Sequence, residues 1–298
     1  MENSIPTYSI IIPHKNTYAL LERCLDSIPS REDFQIIVVD DDSDIPESVW
    51  KVFPEKYGHV ELYLTKEGRG AGYARNIGLG HARGEWVLFA DADDFFYEDA
   101  FSILDCYSKS FHDLLFFICD SRDSDSMALI GDRMPSIRRN IMRKNIDGLR
   151  YRSIVPWGKM IRRSLIESSC LSFEETEVSN DVMFSIKLGV AAENPDVIVS
   201  TPLYCCTKSD GSLSQKKTVK RTITRVKVAK RANDYLHDQG LDKYRIPINH
   251  IGSFLPWHPV LFLWGVWMFR YRGDALGYLS DLVKTLENRI FKRFRLYE

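Results

Sequence analysis

The chain has 298 residues, of which 44% are hydrophobic and 27% are charged, which is typical of a globular protein and excludes a disordered one. The formal net charge of −1 excludes a uniformly basic nucleic-acid-binding protein. The six cysteines have no C-x-x-C spacing, and the N-terminus has no basic segment followed by a long apolar core. We therefore predict a reduced, cytoplasmic protein without a zinc ribbon, a disulfide scaffold or a secretory signal.

The first half of the chain alternates between short apolar runs and stretches with helical periodicity. The apolar runs predicted to be strands are residues 8–12, 35–39, 60–64, 85–90 and 114–119. A first helix has its apolar face at Leu20, Leu21, Cys24, Leu25 and Ile28. A second helix is predicted over residues 71–82, after the glycine-rich loop KEGRGAG. A third helix is predicted, and the residues on its inner side are Ala100, Ile103, Leu104, Tyr107 and Phe111. Strands that are apolar on both faces and separated by helices predict an α/β fold, with a mostly parallel sheet covered on both sides.

The pattern weakens in the second half. Residues 120–156 are polar with little periodicity, after which a helix is predicted near 179–189 and a short strand near 197–200. Residues 216–231 contain eight basic residues and no acidic one. We therefore predict two units, residues 1–215 and a basic, aromatic, helical extension over residues 216–298.

Acidic residues follow two of the predicted strands, in VVDDDSD and FADADD. Helix capping and turns account for one aspartate in each cluster. Ligands of open parallel sheets bind at the carboxyl ends of the strands, and crowded carboxylates need a cation or a donor to neutralise them. Hard oxygen ligands suit Mn²⁺ or Mg²⁺ shared with a diphosphate, so Asp91 and Asp93 are the predicted metal ligands.

Four segments in this order resemble the family-two glycosyltransferases, which are inverting enzymes with a GT-A fold. The segments are YSIIIPHKNTYALLERCLDSI, IIVVDDDSD, GAGYARNIGLGHARGEWVLFADADD and WGKMIRRSLIE…FEETEVSNDVMF. The resemblance covers about residues 7–215 and implies a sugar transferase of the kind that builds bacterial surface polysaccharides, with a donor that is a nucleoside-diphosphate sugar, expected to be UDP-linked.

The resemblance also implies roles for individual residues. The positions that match the donor site are Pro13, His14, Asn16, Asp41, Arg75, Asn76, Asp91, Ala92 and Asp93. Among them Asp41 matches the acceptor of a base N–H, Asp91 the residue that touches the ribose or donor sugar, and Asp93 the metal ligand.

The family takes its catalytic base from an acidic pair that opens a helix after the WGK segment. Here the pair is Asn180–Asp181, where Glu–Asp is commoner, so Asp181 is the predicted base and any role of the family's glutamate is in doubt. The alternative is that Asp181 only stabilises the first turn of its helix. Trp157 and Lys159 match the acceptor side, and core packing is an equal alternative for Trp157. Tyr204 and Ser212 match a segment that returns toward the site.

The C-terminal extension mixes basic and aromatic residues. Its longest apolar stretch, residues 254–269, is interrupted by prolines and is too short to cross a bilayer. It is expected either to contact an anionic membrane surface or to be a helical cap or homodimer contact, with Trp257, Trp264 and Trp267 in the core or interface. Membrane contact would suit a polyprenyl-linked glycan acceptor. The basic run at residues 216–231 lacks interleaved aromatic residues, so no nucleic-acid partner is predicted.

The alternative to an enzyme is a GT-A-like module that binds a nucleotide sugar without turning it over. The presence of Asp91, Asp93 and Asp181 favours the enzyme.

Overall fold

The structure is a computed structural model that describes residues 5–130, 135–208, 218–247, 258–271 and 274–294. The strands within these residues are β1 (Tyr8–His14), β2 (Phe34–Asp41), β3 (Val60–Thr65), β4 (Trp86–Phe89), β5 (Phe95–Phe96), β6 (Leu114–Phe117), β7 (Cys119–Asp123), β8 (Lys159–Arg162), β9 (Pro195–Ile198) and β10 (Tyr204–Lys208). The α-helices are α1 (Tyr18–Asp26), α2 (Glu47–Tyr57), α3 (Ala71–His81), α4 (Ala100–Asp105), α5 (Pro135–Met142), α6 (Ile146–Arg152), α7 (Arg163–Ser168), α8 (Val182–Ala191), α9 (Val219–Asp238), α10 (Pro259–Met268) and α11 (Ala275–Phe294).

Seven strands form one twisted sheet in the order β3-β2-β1-β4-β8-β6-β9. All neighbouring pairs are parallel except those of β8, which is antiparallel to both β4 and β6. The chain leaves β1 toward β2 on one side and later returns to place β4 on the other side. This reversal makes the carboxyl ends of β1 and β4 the point of the sheet where a crevice is expected.

The sheet has a hydrophobic core on each face, and β1 contributes to both. Ile10 and Ile12 face a core shared with α1, α2 and α4, whereas Ile11 faces the core beneath α3, α7 and α8. Because successive strand residues point to opposite faces, a strand with both faces buried is a continuous apolar run. The predicted mostly parallel sheet with helices on both faces is confirmed. A second sheet, in the order β5-β10-β7, lies beyond the end of β4.

Several local predictions were wrong. Phe111 was expected on the inner side of a helix, but α4 ends at Asp105 and Phe111 is 79% exposed. The residues after α4 form turns, with the Ser108 and Ser110 amides bonded to carbonyls three residues back, as expected for serine, which favours turns over helix interiors. Strand β1 also continues through Pro13, whose missing N–H is tolerated because pairing with β4 has already ended.

The C-terminal helices continue the fold from α8. Helix α9 packs Val228, Ala232 and Leu236 against α8, and α10 and α11 pack in turn on the far side of α9. None of the helices in the described part of the chain combines the length and the hydrophobicity that a membrane-crossing segment requires. Trp257 and Ser212 lie outside the described residues, and the boundary near residue 215 stays a prediction.

Candidate active site

The two acidic clusters lie at the same edge of the main sheet. Asp40 pairs with His14 at the end of β1, and Phe89 of β4 pairs with Ile11 on the other side of the same strand. Adjacent strands are about 4.8 Å apart, so the ends of β2 and β4 are separated by about 10 Å. The carboxylates that follow these two strands therefore share one rim of the sheet.

The loop after β4 gathers three carboxylates. One oxygen from each of Asp91, Asp93 and Asp94 lies within 4.8 Å of the others. Asp94 is buried and accepts hydrogen bonds from the Tyr204 hydroxyl at 2.8 Å and the Thr207 amide at 2.7 Å. Burial, together with the negative charges of the two neighbouring aspartates, raises the pKa of Asp94 well above its ordinary value. The loop therefore concentrates negative charge that a cation would stabilise.

The backbone of this acidic loop is fixed from behind. The Tyr204 hydroxyl also accepts the Asp91 N–H at 2.9 Å. Arg23 Nη2 donates to the Asp93 carbonyl oxygen at 2.6 Å, and the Thr207 hydroxyl donates to the same oxygen. The sequence indicated Tyr204 as part of a segment that returns toward the site, but it gave no sign of Arg23 or Thr207. No motif marks these positions, which lie far from the loop along the chain.

Arg75 connects the acidic loop to the segment that precedes α8. Its side chain is only 6% exposed, and Nη2 lies 2.6 Å from Asp91 Oδ1. Nη1 donates to Asn180 Oδ1 at 3.0 Å, and the guanidinium lies over the Phe173 ring. One buried cation therefore joins the loop after β4 to the residue next to Asp181.

Asp181 occupies the cap position of α8 without capping the helix through its side chain. The half-buried carboxyl group has its pKa raised by burial, an effect that the nearby Arg75 cation opposes. A carboxylate with a raised pKa is a better proton acceptor than an ordinary aspartate. Its position at the N-terminus of α8 also allows its charge to stabilise the first turn of the helix, so both the base and this alternative stay predictions.

Asp41 closes the glycine-rich loop. Its carboxylate accepts the Arg69 amide at 3.0 Å and the Gly70 amide at 2.6 Å. Gly70 has a φ of 94°, a backbone conformation that favours glycine. The predicted contact between Asp41 and a nucleotide base stays a prediction.

His14 is held by contacts within the protein. Its Nδ1 lies 2.7 Å from Asp40, and its Nε2 accepts the Thr17 amide at 3.2 Å. An Nε2 that accepts leaves the proton on Nδ1, so the neutral ring donates to Asp40.

Asn16 and Asn76 also fix the backbone of neighbouring segments. Asn16 accepts the Asp44 amide at 2.6 Å. Asn76 makes two hydrogen bonds with the backbone of Phe173, at 2.8 and 3.0 Å. Pro13 and Ala92 are buried next to these loops. The contacts of all these residues with a donor stay predictions.

The two residues assigned to the acceptor side are buried. Trp157 belongs to the core and lies nearly parallel to the Tyr204 ring at 6.1 Å, in agreement with the core alternative. Lys159 Nζ donates to the carbonyl oxygens of Ser153, at 2.9 Å, and Val155. Burial lowers the pKa of Lys159 to about 7, and the negative charge of Asp181 opposes this shift. Contact of Trp157 or Lys159 with an acceptor stays a prediction.

Comparison with known proteins identifies the family of this chain. The sequence profile described as "Glycosyl transferase family 2" matches residues 9–169, which is more than half of the chain. The chain belongs to glycosyl transferase family 2. Asp181 lies beyond the matched residues, so the match itself does not support its assignment.

Individual family members are related to the chain at low identity. The chain is 26% identical over 212 residues to the poly(ribitol-phosphate) beta-glucosyltransferase of Bacillus spizizenii, an alignment that covers 68% of this chain. It spans only 32% of the length of that relative.

Solved structures show that the fold is GT-A, as predicted. TarS from S. aureus, crystallised with UDP-GlcNAc, superposes with a TM-score of 0.70 at 20% identity, covering 94% of this chain and 88% of that one. A mannosyltransferase from Pyrobaculum calidifontis in complex with GDP-Man and Mn²⁺ gives a TM-score of 0.52 at 18% identity, covering 98% of this chain and 83% of that one.

Proposed function

We propose that this family-two chain is an inverting, metal-dependent hexosyl- or hexosaminyltransferase that moves a sugar from a nucleoside-diphosphate donor, UDP-linked by preference, to a hydroxyl of a glycan or lipid-linked acceptor. The observation that carries the proposal is the Arg75 bridge, which bonds Asp91 in the acidic loop and Asn180 beside Asp181. It brings a candidate base to the rim where a donor diphosphate would bind. Two comparisons support the choice of substrates: TarS was crystallised with UDP-GlcNAc, and the Bacillus spizizenii relative is named for glucosyl transfer to poly(ribitol phosphate).

The reaction requires one proton transfer and one displacement. Asp181 takes the proton of the acceptor hydroxyl while that oxygen attacks the anomeric carbon from the side opposite the diphosphate. A new glycosidic C–O bond forms, the bond to the diphosphate breaks, and the nucleoside diphosphate leaves with the bonding electrons. Attack from the opposite side inverts the anomeric configuration. The raised pKa of Asp181 suits it to accept this proton.

The acidic loop fits a divalent cation. Three carboxylates approach one another, and Arg75 pairs with Asp91. Both oxygens of Asp94 already accept hydrogen bonds, so Asp91 and Asp93 are the residues that would hold Mn²⁺ or Mg²⁺. A bound ion would offset the charge that develops on the departing diphosphate.

A pair of substitutions tests the division of roles. Asp181→Asn is expected to lower the rate of transfer by about 10²- to 10⁴-fold, because the amide cannot accept the proton, and to leave donor affinity nearly unchanged. Asp93→Ala is expected to weaken donor binding that depends on Mn²⁺. Sugar transfer and calorimetric donor binding, each measured with Mn²⁺ and after chelation, report the two effects.

Asp99→Asn is the matched control, because Asp99 also precedes a helix without a side-chain capping bond and is exposed. It is expected to behave as wild type in both assays. Equal loss of donor binding in Asp181→Asn and Asp93→Ala would contradict the proposed roles. A wild-type protein that binds UDP-sugars but turns none over with any acceptor would favour the binding module.

A further inference from the structure

The C-terminal helices expose an apolar surface that the proposed function does not use. Three large apolar residues of α10 and three of α11 are between 51% and 82% exposed, and both sets have the spacing i, i+3, i+7: Val260, Leu263, Trp267, Leu276, Leu279 and Val283. This spacing places each set on one side of its helix. We call these six residues the C-terminal apolar face. They are six of the fifteen exposed large hydrophobic residues in the described part of the chain, yet they span only residues 260–283.

The opposite sides of the same helices are well packed. Phe269, Tyr271 and Tyr278 are buried in a cluster with Val226 and Ala229 of α9. The Tyr278 hydroxyl donates to the Val266 carbonyl oxygen, which ties α11 to α10. The six residues are therefore exposed on helices that are docked through their other sides, and apolar residues exposed together on a helix indicate an interaction site.

Residues 258–298 contain seven basic and four acidic residues, so this region of the sequence carries a net positive charge. The Arg270 guanidinium lies 5.5 Å from the centre of the Trp267 ring, and Lys284 is exposed beside Val283. Three acids lie on or near these helices. Asp274 pairs with Arg245, and Asp281 accepts the Tyr271 hydroxyl and lies 4.0 Å from Lys284. Glu287 is exposed. Residues 284–298 add further basic residues in sequence and contain five basic and two acidic residues in all.

We propose that the C-terminal apolar face lies on the surface of a membrane that contains anionic lipids, with α10 and α11 in the plane of the interface. Leucine, valine and tryptophan side chains would enter the boundary between headgroups and acyl chains, while Arg270 and Lys284 would contact lipid phosphates. A second copy of this chain fits the charges less well. In a twofold dimer the same patch faces itself, so basic residues would repel basic residues.

Sedimentation with vesicles tests this surface in the full chain. The wild type is expected to bind phosphatidylcholine vesicles that contain phosphatidylglycerol, to bind pure phosphatidylcholine weakly, and to dissociate as salt is added. Substituting Trp267→Ser together with Leu276→Ser is expected to weaken binding about tenfold or more, because two large apolar side chains no longer leave water. Replacing Arg270→Gln and Lys284→Gln is expected to weaken binding to the anionic vesicles about fivefold for each charge removed.

Phe111→Ser is the matched control, because it removes an equally exposed apolar side chain from another part of the molecule. It is expected to bind vesicles as the wild type does. Circular dichroism and calorimetric donor binding would verify that each variant is folded. The proposal would be overturned if the Trp267/Leu276 variant bound vesicles as tightly as the wild type does, or if the wild type bound neither kind of vesicle. If light scattering showed that the wild type is a dimer and that the Trp267/Leu276 variant is not, and if the wild type did not bind vesicles, the face would be assigned to a second copy of the chain instead. None of these measurements requires sugar transfer.

Discussion

Lys159 is the most deeply buried basic residue near the candidate base. Its ammonium group is enclosed by the carbonyl oxygens of residues 153 and 155, and its positive charge opposes the rise in the pKa of Asp181. Burial in turn lowers the pKa of Lys159 itself from 10.5 to about 7. The folded chain therefore gives up this proton at a lower pH than the unfolded chain does.

This difference predicts how stability depends on pH. Between about pH 7 and pH 10.5 Lys159 binds more protons in the unfolded state than in the folded state. The contribution of Lys159 to the free energy of unfolding therefore increases as pH rises. The free energy of unfolding of wild type relative to Lys159→Met is therefore expected to increase between pH 7 and pH 9, as measured by urea denaturation. Lys187→Met, at an exposed position, is the control and is expected to show a constant difference. A constant difference for Lys159→Met would contradict the prediction.

The sequence predicted the residues that carry charge in the candidate site, but of those that hold the acidic loop in place it indicated only Tyr204. Asp91, Asp93 and Asp181 belong to recognisable motifs. In the structure Asp91 and Asp93 lie in one acidic loop, Asp91 pairs with Arg75, and the charge of Arg75 also acts on Asp181. Tyr204 and Arg23 reach the acidic loop from other parts of the chain, so their contacts depend on the packing of β10 and α1. For the same reason the sequence did not show that the His14 ring bonds inside the protein.

At the scale of elements, prediction succeeded where burial imposes a pattern. The central strands are apolar on both faces and were predicted, as was α3. Helices α5 and α6 were missed, because only a few of their residues are buried and arginines interrupt the apolar pattern. Strand β8 was also missed, since four residues bordered by arginine give no period.

Helix α3 approaches the segment before α8 through a glycine. A Cβ atom at Gly72 would lie 2.2 Å from the Glu174 carbonyl oxygen and 3.0 Å from the Asn180 Cβ. Gly72→Ala is therefore expected to push this segment away from Arg75, with a loss of about 1–3 kcal/mol in stability and weaker donor binding. Thermal unfolding and calorimetry measure the two effects.

Gly80→Ala in the same helix is the control. A Cβ at Gly80 meets nothing within 4 Å, so alanine there is expected to leave stability unchanged or raise it by about 0.5–1 kcal/mol. If both alanine variants were as stable as wild type, the close approach at Gly72 would not limit the packing.

At the scale of the whole molecule, α9 belongs with the catalytic core as much as with the extension. It covers the apolar side of α8, and its arginines hold the segment that leads to Asp181. Arg231 makes two hydrogen bonds of 2.9 Å with Glu174, and Arg221 Nε donates to Glu177 at 2.7 Å. Contacts between this helix and the segment before Asp181 therefore cross the boundary predicted at residue 215.

Two shortened chains would separate these contributions. A chain ending after residue 215 loses α9 and exposes Val182, Met183 and Ile186 to water. Burial of each of these side chains contributes about 1.5–3 kcal/mol to the free energy of unfolding, and the sum is comparable to the whole stability of many domains. It is expected to aggregate or to be digested rapidly by protease. A chain ending after residue 247 keeps α9 and is expected to unfold cooperatively and to retain donor binding, while it loses the C-terminal apolar face and with it vesicle binding. Limited proteolysis and thermal unfolding compare the two chains. Equal protease resistance and equal Tm would show that α9 is not needed by the core.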